Sequence, residues 1–284
     1  MSRRHALPLL WGLFGCWSGP ALAAPLDGLS AVSGVTGLVV QSDFSLQSTD
    51  GRRFRLTGVE APLRPLRQPG DAMWPPARRA QRALQSWLDR GAILLETGCP
   101  LDRWGRQPVR LQGPGGLWVE AELVRDGVLR IMPDADCPDL TDNRAADLLQ
   151  AEDVARQGGR GLWAEPETAL KSPDQTPRWI DSVQVVEGVV STVRQTKNGI
   201  YLDFGPDWRR SLGVRIGKRV ARRAPGDVLA LTGRRIRVRG WIGKSVGPLL
   251  DVADPAQIEI PGGWPPRPAF GAGDVTPQAE GEER

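Results

Sequence analysis

Two arginines stand where fixed positive charge could do chemistry. Arg55 lies in the alternating run Arg53-Phe54-Arg55-Leu56-Thr57-Gly58, and Arg106 closes the turn-like Asp102-Arg103-Trp104-Gly105-Arg106. A guanidinium is a permanently charged fork that donates paired hydrogen bonds to phosphate or carboxylate. It can therefore stabilise the charge a phosphodiester gains as it becomes five-coordinate. Taken alone, each arginine also has a plainer role, Arg55 as a solvent-facing strand residue and Arg106 as a turn-stabilising one.

The remaining chemistry is narrowed by what is scarce. The 284 residues contain a single histidine, His5. It falls in a segment, 1–24, with a basic start at Arg3 and Arg4, an apolar stretch over 6–17 and an Ala21-Leu22-Ala23-Ala24 end. That pattern reads as a secretory signal peptide, its apolar run too short to span a bilayer. The mature chain is thus expected to be exported, periplasmic or secreted, with no stable membrane span. Leu13-Phe14-Gly15-Cys16 loosely resembles a lipoprotein box, so anchoring at Cys16 is the alternative. Cleavage leaves no histidine, which removes Ser-His-Asp and Cys-His catalysis and histidine-ligated zinc. Cys99 and Cys137 are too few for a four-cysteine zinc site. An oxidising compartment favours a disulfide between them, unpaired buried thiols being the alternative. Hydrophobic residues at 40% and charged residues at 25% exclude wholesale disorder and a polytopic membrane protein.

The elements that would position these residues follow from periodicity. Alternation predicts strands over 35–41, 44–48 and 53–59, with a turn at Asp50-Gly51, and further strands over 92–97 and 108–111. Helices are expected over 77–88, 118–126 and 142–157, the first from Ala80, Leu84, Trp87 and Leu88 on one face. Short strands with a few helices describe a small β-barrel carrying helices, over residues 25–170. A stretch of linker composition follows at 171–180. Five more strands are expected over 183–194, 200–204, 211–216, 235–241 and 249–252, with 258–260 extending the last. They fit a small Greek-key barrel over 181–261. Residues 262–284, rich in Pro and Gly, read as a solvated tail. The fold class is therefore mainly β with helices, α+β, in two modules.

Three segments in register resemble the thermonuclease (staphylococcal-nuclease-like) family. They are residues 50–62 around Arg55, the Asp102–Arg106 run, and Ala151-Glu152-Asp153-Val154-Ala155-Arg156 running to Gly161-Leu162-Trp163-Ala164. The likeness covers about residues 33 to 166. It implies a calcium-dependent phosphodiesterase, an endonuclease acting on DNA and RNA, on an oligonucleotide-binding-type (OB-type) barrel. Arg55 and Arg106 match the two arginines that point at the scissile phosphate. The resemblance places metal carboxylates at Asp43 and Glu60, and a backbone-carbonyl contact at Ala61. The chain departs from the family at two points. Gln41-Ser42-Asp43-Phe44 replaces an Asp-Gly-Asp-Thr turn, and Leu63 stands where the general base is expected. Leucine can neither accept a proton nor position water, and general-base catalysis contributes ~10²–10⁴-fold. Asp71, in the loop over 64–76, is the candidate substitute. Trp163 is expected to anchor the last helix, and Glu152 to be a structural carboxylate.

The second module carries the positive charge. Residues 178–261 hold 15 Lys and Arg against 8 Asp and Glu, whereas 25–172 hold 18 against 20. Its sequence resembles the OB-type domains that follow the nuclease module in some members of the family. Tyr201, Trp208 and Trp241 could stack bases beside Arg209, Arg235, Arg237 and Arg239, the last three on one strand face. Single-stranded DNA or RNA is the expected partner, and calcium, weakly held, the expected ion. A catalytically inactive nucleic-acid-binding module and a cell-envelope scaffold are the alternative readings.

Overall fold

The computed structural model describes residues 26, 28–63, 74–134, 137, 142–207 and 209–267. The leader over 1–24, Asp71, Trp208 and the tail beyond 267 lie outside the described residues. The chain runs β1 (Val39–Val40), β2 (Leu46–Gln47), β3 (Arg53–Leu56), β4 (Val59–Glu60), α1 (Pro75–Asp89), β5 (Ile93–Glu96), β6 (Gln107–Gln112), α2 (Val119–Arg125), β7 (Arg130–Ile131) and α3 (Asp142–Gln157). It continues as β8 (Ser182–Val189), β9 (Thr192–Thr196), β10 (Gly199–Asp203), β11 (Gly213–Ile216), α4 (Lys218–Arg223), β12 (Arg235–Lys244), β13 (Pro248–Val252) and β14 (Ile258–Glu259). The architecture is mixed α+β. Among the described residues no hydrogen-bonded ladder closes either large sheet into a barrel, and no helix is long and apolar enough to cross a membrane.

The first sheet has the order β1-β2-β3-β6-β5, antiparallel except where β3 runs parallel to β6. Its inner residues Leu46, Phe54, Val109 and Leu111 bury with Trp118 and Leu123 of the α2 region and Leu148 of α3. Helix α1 starts at Pro75-Pro76, where missing amide hydrogens cost nothing, and buries Ala80 and Leu84. Its Gln81 and Gln85 side chains bond the Val40 carbonyl and amide at 2.8 and 2.9 Å, tying α1 to the sheet edge. Three expected strands of this sheet are clearly shorter than alternation suggests, the first of them, over 35–41, being reduced to Val39–Val40. Phe44 has a φ of 60° and belongs to a turn, so β2 starts only at Leu46. The expected strand over 53–59 breaks at Gly58, whose φ of 75° is open to glycine. The break carries Glu60 out of the first sheet to pair with Arg130 across β4 and β7.

The second sheet has the order β14-β12-β13-β11-β10-β9, with β8 also on β12. The strand expected over 183–194 is two strands, because its partners change. Val190 donates to the Arg234 carbonyl beside β12, and Ser191 to the Asp203 carbonyl of β10. Val186, Leu202, Val214, Ile236, Val238 and Leu250 are buried together.

The stretch of linker composition is packed. Lys171 is buried, pairs with Val186, donates from Nζ to the Pro166 carbonyl at 2.7 Å and lies over the Trp179 ring. Residues 173–179 form 3₁₀ turns capped by Ser172 and Gln175. The beginning of the expected tail is packed as well. Trp264 joins the second core, and Arg267 donates to the carbonyls of Arg222 and Ala224.

Candidate functional site

Parallel pairing of β3 with β6 sets Arg55 opposite Pro108, two residues after Arg106. The turn before β6 is built on Asp102. Its Oδ1 accepts from the amides of Trp104 and Arg106, both at 2.9 Å, and Gly105 takes the left-handed φ of 71° that closes the turn. The other oxygen, Oδ2, lies 2.7 Å from Nε of Arg106 and 3.4 Å from Nε of Arg55. One carboxylate thus holds both guanidinium groups side by side. Burial pushes the Asp102 carboxyl up, but the Arg106 amide and guanidinium and the Trp104 amide outweigh it and hold the carboxyl below its ordinary range.

A second carboxylate completes the hold on Arg55. Asp134, just beyond β7, is ion-paired to its terminal nitrogen Nη1. A disulfide joins Cys99 to Cys137 with Cα atoms 5.4 Å apart. It links the segment entering the Asp102 turn to the segment carrying Asp134.

Asp43 and Glu60 approach the same arginines. Asp43 Oδ1 accepts from the Ser45 hydroxyl at 2.6 Å and the Ser45 amide at 3.0 Å. Its Oδ2 is 2.8 Å from Arg53 and 3.8 Å from Arg106. Burial pushes the Glu60 carboxyl up to about 7, against the opposing pull of Arg106, Arg130 and Arg55. As a donor set this does not fit calcium, which takes six to eight oxygens. Both Asp43 oxygens already accept hydrogen bonds, the charges of Arg106, Arg130 and Arg55 act on Glu60, and among the described residues no group of three or more His, Cys, Asp or Glu could hold a metal ion.

Leu63 is 41% exposed at the expected base position and offers no proton acceptor. Two partners of the arginines had only a faint sequence signature. Asp102 belongs to the quoted turn motif, but its bridging role needs the β3–β6 pairing. Asp134 lies 79 residues from Arg55. Trp104 is a third such residue. Its ring is 56% exposed, with Arg103 4.0 Å and Arg106 4.7 Å from the centroid. Its place between two arginines in the turn was the legible hint.

The second module divides its expected contacts. Trp241 is 45% exposed, and Tyr201 lies under Arg194 at 5.7 Å. Arg209 is at the surface, its amide bonded to Asp207. The arginine row of β12, by contrast, runs from solvent into the body of the protein. Arg235 is exposed and 3.4 Å from Glu187. Arg237 is half-buried among Glu187, Glu259 and Asp153. Arg239 is 1% exposed, 2.8 Å from Glu152, paired with Glu259, and donates to the Ile131 carbonyl at 3.0 Å. Arg239 therefore does not belong to a solvent-facing nucleic-acid surface, and Arg237 is largely neutralised. The cause is α3, which packs its Glu152, Asp153 and Arg156 against this face. Trp163, also buried, packs with Ala155 and Val185 between the modules.

No protein-family model matches the chain, and no curated protein is similar to it.

Proposed function

We propose that the chain is an exported nucleic-acid-binding protein of thermonuclease-like architecture. In this reading Arg55 and Arg106 grip a backbone phosphate and Trp104 stacks on a neighbouring base. The carrying observation is the shared hold of Asp102 on both guanidinium groups, directly beside an exposed tryptophan. Paired forks match phosphate, and an aromatic face accepts any base, which is the combination single-strand binding requires. The oligonucleotide-binding-type barrel is the finer fold reading. It is supported by the run of β8 into β9 through Val190 and Ser191, which brings one chain segment to both β12 and β10. Phosphodiester hydrolysis rests on the family resemblance alone, since Leu63 stands at the base position. Binding is therefore the activity we assign.

The test is fluorescence anisotropy of a labelled oligo-dT with the purified chain across a salt series, repeated with Arg106→Ala. Phosphate contacts release counterions, so affinity should fall as salt rises. Arg106→Ala should weaken binding and flatten the salt slope by about 0.7 for each phosphate it leaves unneutralised. Salt-insensitive binding, or none, would favour the envelope-scaffold reading. Cleavage of the oligonucleotide in the same tubes would restore the nuclease.

A further inference from the structure

We infer that Asp134 is an internal competitor for the phosphate at Arg55, held in place by the Cys99–Cys137 disulfide. The inference rests on the proposed phosphate-binding role of Arg55. Two carboxylates touch that guanidinium, and they touch different parts of it. Asp102 reaches Nε, at the root of the fork, and also braces Arg106. Asp134 occupies Nη1, at the tip, where an incoming phosphate oxygen would bond. The side chains of Arg55 and Asp134 keep 17% and 16% of their surface exposed, so the pair retains access to solvent. A phosphate that takes the fork of Arg55 through Nη1 must displace Asp134 or share that nitrogen with it.

The backbone keeps Asp134 there from both sides. Upstream, the Met132 amide donates to the Gly58 carbonyl at 2.9 Å, extending the β4–β7 pairing. Downstream, the Cys137 amide donates to the Asp134 carbonyl at 3.3 Å, and the Cys137 side chain is buried in its bond to Cys99. Cys99 lies three residues before Asp102 and Cys137 three residues after Asp134. A single covalent link thus fixes the spacing between the two anions that share Arg55. The two have opposite consequences: Asp102 orients the fork for a ligand, and Asp134 takes the ligand's place.

The experiment measures affinity for a fluorescein-labelled oligo-dT of about 12 nucleotides. It compares wild type, Asp134→Asn, Arg55→Ala, the Arg55→Ala/Asp134→Asn double variant and Cys99→Ser/Cys137→Ser. Asp134→Asn keeps the side-chain shape and removes the competing charge. It should bind about two- to fivefold tighter, the scale of a partly screened ion pair. The gain should vanish in the Arg55→Ala background, because the two residues act on one nitrogen. Cys99→Ser/Cys137→Ser should shift affinity in the same direction by loosening the tether. Unchanged or weaker binding by Asp134→Asn overturns the inference, and so does a gain that survives without Arg55. Unchanged binding by the cysteine variant overturns the tether. If Arg55→Ala fails to weaken the wild-type protein, the phosphate-binding reading itself falls.

Discussion

Arg239 of β12 and Glu152 of α3 meet 2.8 Å apart with side chains 1% and 0% exposed. Around them Arg156 and Glu259 extend a network of alternating sign from the first module into the second. Glu152 also accepts from the Ile131 amide at 3.0 Å, so the ion pair is braced by the strand that pairs with Glu60. Burial pushes the Glu259 carboxyl up, but Arg239, Arg156 and Arg237 outweigh it and hold the carboxyl below its ordinary range. Positive charge that in isolation would face a polyanion is spent joining the two modules.

Removing one partner should therefore cost far more than removing both. Arg239→Ala leaves buried Glu152 with Arg156, 3.2 Å away, as its remaining ion-pair partner, and breaking a buried pair costs up to about 3–5 kcal/mol. Arg239→Met combined with Glu152→Leu removes both charges and should destabilise less than either single change. Urea unfolding of the three variants checks the order. Equal, small losses would mean that the pair contributes little to the junction.

Stability should fall as pH rises from about 4.5 to about 7. Burial pushes Glu60 up to about 7, with Arg106, Arg130 and Arg55 opposing, and pushes Glu120 up to about 7, with Arg110 opposing. A carboxyl whose folded pKa is raised binds its proton more tightly in the native state. Its contribution is full below the unfolded value near 4.5 and is lost through the folded value. Asp43 and Asp102 are lowered instead, so their losses come only at more acid pH. Glu60→Gln should gain melting temperature over wild type at pH 8 and show little difference at pH 5. A difference independent of pH would place the Glu60 proton elsewhere.

Helix α3 was legible to its bounds, and α1 and α2 to within two residues, because helical periodicity is local and its stops are marked by glycine and proline. The strands were legible in type but not in length, since partner changes at Gly58 and at Val190 have no mark in alternation. Arg55 and Arg106 could be singled out from sequence. Their common brace at Asp102 depends on a parallel β3–β6 register that no local pattern encodes. Arg239 was misplaced because alternation shows which residues share a face but not what covers that face. Helix α4 was missed outright, its Lys218-Arg219-Val220-Ala221-Arg222-Arg223 having too few apolar positions to show a period.

Reduction of the disulfide should destabilise the fold. The bond closes a sequence separation of 38 residues, and the chain-entropy estimate for such a loop is about 4 kcal/mol. Thermal melts with and without a dithiol should differ, and Cys99→Ser/Cys137→Ser should reproduce the reduced curve without it. Coincident melts would show that the other interactions of the Asp134 segment suffice.

Trp104→Ala should weaken oligonucleotide binding by an amount set by one stacked base, about 1–3 kcal/mol, without loss of melting temperature. The ring is exposed and contributes little to the core, so affinity and stability should separate cleanly. Trp104→Phe keeps an aromatic face and should recover most of the affinity. Equal binding by wild type and Trp104→Ala would leave the tryptophan as a cap over Arg103 and Arg106.

Calcium should leave the protein's melting temperature unchanged, as should a chelator. A ligand that binds only the folded state stabilises it in proportion to its occupancy, so the melt reads calcium binding without requiring activity. For the ion to bind, Asp43 would have to give up Arg53 and Ser45, and Glu60 would have to hold a cation amid the field of Arg55, Arg106 and Arg130. Converting Leu63 to glutamate adds a carboxylate near Ala61 and Glu60 and tests what the site lacks. If Leu63→Glu acquires a calcium-dependent rise in melting temperature where wild type has none, the missing side chain is what limits the metal. A rise in wild type would show instead that the arginines yield to the ion.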